Sequence, residues 1–94
     1  MTKLEKLKIK MHKAFDEYDQ ISKTKDNQFD MIIGCLNRIS VSDDENEVER
    51  HYNVLINYLI KNYKEIARKT HQKWVVYDNI FNEYCEEKNK KWLN

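Results

Sequence analysis

The side chains of this 94-residue chain best suited to chemistry are three histidines and two cysteines, and their spacing limits what they can do. His12, His51 and His71 stand one per segment. None lies three or four residues from another histidine or from Cys35 or Cys85, so no single helical turn offers the paired donors of a zinc site. Neither the Glu-x-x-His pairs nor the four inward carboxylates of a di-iron bundle are present. Glu47 and His51 share a helix face at i and i+4, a spacing that makes a surface ion pair worth a few tenths of a kcal/mol. A single glycine leaves no loop able to cradle a phosphate, which removes the nucleotide-binding motifs. Without CxxC spacing, Cys35 and Cys85 read as buried free thiols in a reducing compartment. The expectation is a protein that is not an enzyme, with no catalytic residue, metal or cofactor.

Charge is segregated along the chain. Asp43, Asp44, Glu45, Glu47 and Glu49 crowd one stretch and Lys61, Lys64, Arg68, Lys69 and Lys73 another, while the net charge is only +1. Lys3, Lys6, Lys10 and Lys13 form a third group at helical spacing. A charge run on a helix is commonly a solvated face. As candidate partner-binding faces, the acidic block suits a basic surface, and the basic group beside Trp74 suits a phosphate backbone. The near-neutral total and the lack of a helix-turn-helix glycine place nucleic acid second to protein as partner. Arg68 and His71 stand closer together than the arginine–histidine pair of HEPN-type helical ribonucleases, so they are not read as catalytic. Tyr58, at the edge of an apolar face, and Trp92, after a lysine run, are expected to be exposed aromatic anchors of the kind that dominate protein interfaces.

With no proline and one glycine, the chain is expected to be helical almost throughout. Thr2 and Glu5 form a capping box. Leu4, Leu7, Met11, Ala14, Tyr18 and Ile21 follow in alternating steps of three and four, which predicts helix 1 over about 3–23. The polar stretch Ser22-Lys23-Thr24-Lys25-Asp26-Asn27 interrupts the pattern. Phe29, Ile32, Ile33, Leu36 and Ile39 resume it as helix 2 over about 27–39, with Thr24 or Asp26 as N-cap. Gly34 inside that helix costs about 1 kcal/mol against alanine, which predicts close approach of a neighbouring helix. Ser42 and Glu45 repeat the capping-box spacing and open helix 3. Its broad face of Val48, Tyr52, Leu55, Ile56, Leu59, Ile60, Tyr63, Ile66 and Ala67 makes it the expected central helix, ending near residue 69. Trp74, Tyr77, Phe81 and Tyr84, with Val76 and Ile80, line helix 4. The expected fold is all-α, a small four-helix bundle forming one domain over 1–94. The alternative is three helices, with residues 44–90 as one long helix.

Parallel self-association of helix 1 would set Lys3 against Lys8, so a homodimer through its seam is expected to be antiparallel, and packing within the chain is favoured over either. No apolar run reaches the roughly 18–20 residues of a membrane span, and the lysine-rich start lacks the apolar core of a signal peptide. A cytoplasmic location is expected, and a membrane ranks last among partners. Abundant Lys, Asn, Ile and Tyr suggest an AT-rich coding sequence, common in phage and plasmid genes. The expected function is that of a small non-catalytic protein-binding module, an inhibitor, immunity protein or antitoxin-like factor acting by direct contact. The alternative is a nucleic-acid-binding regulator using the basic surface around residues 61–73.

Overall fold

A computed structural model describes the backbone of residues 1–93 and the side chains of residues 1–90. The fold is all-α. Helix α1 spans Lys3–Val41, α2 spans Glu45–Val54, a π-helical turn spans Leu55–Leu59, and α3 spans Ile60–Leu93. The last three follow one another without a break, since Val54, Leu55 and Ile60 all hold right-handed helical dihedrals. Two helical runs joined by one turn at 42–44 therefore replace the expected four-helix bundle. Of the three-helix alternative, the one long helix over 44–90 is present as the continuous run 45–93, while the predicted helices 1 and 2 prove to be a single element.

The polar stretch 22–27 does not break α1, because it contains neither glycine nor proline. Each of its residues lowers helix propensity by at most about 0.7 kcal/mol. The three-and-four spacing also continues beyond Ile21 through Lys25, Gln28, Ile32, Cys35 and Ile39, all of which are buried or half-buried. Polar residues hold seam positions there, and Gln28 Nε2 donates to the Leu59 carbonyl at 3.4 Å. The predicted stop near residue 69 is absent for the same reason. Tyr63, Ile66, Thr70, Lys73, Tyr77, Ile80, Tyr84 and Glu87 form an uninterrupted seam in which only Lys73 is exposed, and Thr70 is among the most buried side chains.

The turn between the runs is built by the acidic block. Thr2 caps α1 as expected, its hydroxyl accepting from the Glu5 amide at 3.2 Å. The second cap lies two residues beyond the expected Ser42: Asp44 is the N-cap of α2, its carboxylate accepting from the Asn46 amide at 2.9 Å. Ser42 instead accepts from the Asp44 amide and donates to Glu47 Oε2. The π turn then resolves a conflict of register. Extending the α3 seam back by threes and fours would bring Glu49 and Glu45 into the interface. One extra residue in the turn brings Val48, His51 and Leu55 there instead, and leaves both glutamates exposed.

The chain divides into two units, Met1–Ile21 with Lys69–Asn94 and Ser22–Arg68. In the first, α1 and α3 run antiparallel: Lys3 meets Glu87 at 3.5 Å and Glu17 meets Lys73 at 3.2 Å, over buried Leu7, Ala14 and Thr70. Both ion pairs are exposed enough that each adds less than about 1 kcal/mol. In the second, Cys35, Leu55 and Leu59 form the core, with Ile32, Ile39 and Ile60 packed against it.

Gly34 departs from its expected role. Apart from its two chain neighbours and the backbone of its own helical turn, a Cβ built there would meet no atom within 4 Å among the described residues, so no neighbouring helix presses on it. Its φ is not positive, so the backbone does not require glycine either. Gly34→Ala should accordingly raise stability by up to about 1 kcal/mol in dilute denaturant titrations. A loss of stability would show that the position is crowded within the chain.

Candidate binding surfaces

A pair of packed helices buries one stripe of each, and this chain has more apolar surface than two stripes can cover. Phe15, Phe29 and Leu36 each stand one residue after a seam position of α1, and Trp74 and Phe81 one residue after seam positions of α3; all five remain exposed. In the first unit they make a continuous aromatic surface. The ring of Phe15 lies 5.4 Å from that of Tyr77 in an edge-on arrangement, Tyr18 lies 5.3 Å from Trp74, and Tyr77 stacks on Phe81 at 6.0 Å. Phe15–Tyr18 and Trp74–Tyr77 contacts close the set. Ring pairs at these distances add about 0.5–1.5 kcal/mol each beyond area burial and fix the orientation of the patch. A groove of about 310 Å³ runs beside it, lined by Met11, His12, Phe15, Asp16 and Tyr77. Asp16 and His12 thus border the rings, and Asp78 lies on the same helical stripe as Trp74 and Phe81.

The second unit carries a larger groove, about 430 Å³, walled by Asp30, Met31, Gly34 and Arg38 of α1 and by His51 and Val54 of α2, with Cys35 and Leu59 at its base. The Cys35 thiol donates to the His51 carbonyl at 3.2 Å. His51 Nε2 lies 3.5 Å from Glu47 Oε1, the i, i+4 contact that their spacing suggests. Cys35 and Cys85 are both free. Among the described residues no group of three or more His, Cys, Asp or Glu side chains converges as metal ligands would.

The sequence-derived candidates are dispersed. Of the acidic set, Asp44 is committed to the α2 cap and Glu47 to Ser42 and His51, while Asp43, Glu45 and Glu49 are exposed. Of the basic set, Lys61, Lys64 and Arg68 are exposed and fall on one helical stripe of the second unit. Lys69 and Lys73 belong to the first unit, where Lys73 is paired with Glu17. Tyr58 is 64% exposed, the most open of the described aromatics. Trp92 falls outside the described residues. The sequence offers Trp74 and Tyr77 among possible interface anchors, with Tyr77 read as core, but places Trp74, Tyr77 and Phe81 on the face of a fourth helix; what it does not anticipate is that they form one connected aromatic set with Phe15. The signal was present: aromatics at and directly after seam positions make a stripe too wide for a two-helix interface. No helix among the described residues is long and apolar enough to cross a membrane. Compared with known protein families, characterised proteins and solved structures, the chain matches none of them.

Proposed function

We propose that the protein is a non-catalytic binding module that acts by direct contact with another protein, in the manner of a small inhibitor, immunity protein or antitoxin, and that its aromatic patch is the contact surface. The observation that carries this is the exposure of Phe15, Trp74 and Phe81, each above 40%, within one connected set of rings. Large rigid aromatics lose little conformational entropy on docking and dominate interface energetics. Asp16 on the groove wall favours a partner segment that carries a cation beside its apolar face.

The test compares the wild-type chain with a Trp74→Ala/Phe81→Ala variant as bait in lysate of the native host, with nuclease-treated controls. A protein captured by the wild type and lost by more than about tenfold with the variant, at unchanged helicity, is the expected result. Equal capture by both baits overturns the assignment. Capture that disappears with nuclease, and weakens steeply between about 50 and 200 mM salt, would favour nucleic acid instead. That second reading rests on the exposed stripe of Lys61, Lys64 and Arg68, and predicts that their replacement by glutamine abolishes binding.

A further inference from the structure

We infer that the groove around Gly34 seats a second copy of this chain, with the two α1 helices crossing antiparallel, Gly34 over Gly34. The proposal is independent of the aromatic patch, which lies in the other unit. Glycine inside a helix is costly, and here neither backbone conformation nor internal crowding accounts for it. What the missing side chain does provide is a low point on the wall of an open groove, where another backbone can come close.

The charges on that wall identify the occupant. Asp30 stands four residues before Gly34 and Arg38 four residues after it, on the same side of α1, and both line the groove. They are separated by about 12 Å along the helix, too far to pair with each other. Neither has an ion-pair partner among the described residues. A second α1 laid antiparallel across Gly34 sets Asp30 of each copy against Arg38 of the other, so one two-fold axis satisfies all four charges. A parallel copy would set Asp30 against Asp30 and Arg38 against Arg38. The same antiparallel placement covers Met31 and Val54, which are exposed in the single chain. Self-complementarity of this kind is what a closed dimer requires.

The experiment is sedimentation equilibrium of the full chain up to millimolar concentration, with circular dichroism to confirm helicity. The wild type is expected to dimerise. Asp30→Arg and Arg38→Asp, each of which faces like charges across the two-fold, should each weaken dimerisation about tenfold or more. The double variant Asp30→Arg/Arg38→Asp should return to within about threefold of wild type, because the swapped charges again face opposites only between copies. Gly34→Leu, which keeps a good helix former in the sequence while filling the low point, should be monomeric. A wild type that is monomeric at every concentration overturns the proposal. So does single-variant dimerisation equal to wild type, a double variant as weak as the singles, or a dimer that survives Gly34→Leu. If Trp74→Ala/Phe81→Ala abolishes the dimer, the aromatic patch is the self-interface and the Gly34 groove is not.

Discussion

Leu55→Ala should cost the folded chain about 2–5 kcal/mol, read as a lower midpoint in urea at unchanged slope. Leu55 is only 5% exposed and is one of three side chains forming the core of the second unit. Truncating it removes apolar burial and leaves a void that Cys35 and Leu59 must border. The π turn restricts collapse into that void, because Leu55 sits where the register of the seam is reset. Small domains have total stabilities of about 5–15 kcal/mol, so the loss is a large share of the whole. Leu36→Ala is the informative control. Leu36 lies one residue beyond the core Cys35 but is 44% exposed, and its truncation should cost under about 1 kcal/mol at low protein concentration. Equal costs for the two leucines would mean that the exposed apolar face is covered in solution.

Most of the helical content was legible, and the reasons for the failures are specific. Composition, the Thr2 cap and the seam from Leu4 to Ile21 all describe local physics, and all appear as expected. The acidic block marked the one true turn, since Ser42, Asp43 and Asp44 favour local side-chain bonds to backbone over continuing a helix. Misreading came where a polar residue held a seam position. Lys25, Gln28 and Thr70 look like interruptions in a hydrophobic pattern. Burial is nevertheless open to a long aliphatic stem such as that of Lys25, and Gln28 is satisfied by a carbonyl on the facing helix. That carbonyl belongs to a π turn, whose one-residue insertion no periodicity rule anticipates. Once two breaks had been placed wrongly, the surplus aromatics had extra helices to cover them. Removing the breaks removes the cover. Trp74 and Phe81, expected on the packed face of a fourth helix, are thereby exposed, and together with Phe15 they make the apolar surface the more distinctive feature of the first unit.

Asn27→Pro tests that correction most sharply, because the two descriptions of residues 22–27 predict opposite results. If Asp26 were the N-cap of a separate second helix, Asn27 would be its first residue, the position where proline is best tolerated. In the continuous α1, residue 27 is an interior position, well over four residues from either end. Proline there deletes the bond from its own amide to the residue 23 carbonyl and drives its ring against that carbonyl. The expected loss is about 3 kcal/mol or more, seen in thermal or urea denaturation. Asn27 is exposed, so almost none of that loss would come from its side chain. Asn27→Ala provides the reference and should be neutral or slightly stabilising, since alanine is the better helix former. A proline variant within about 1 kcal/mol of the alanine variant would mean that the chain breaks at 22–27 in solution, and that the apolar faces beyond it have more helices to pack against than α1, α2 and α3 provide.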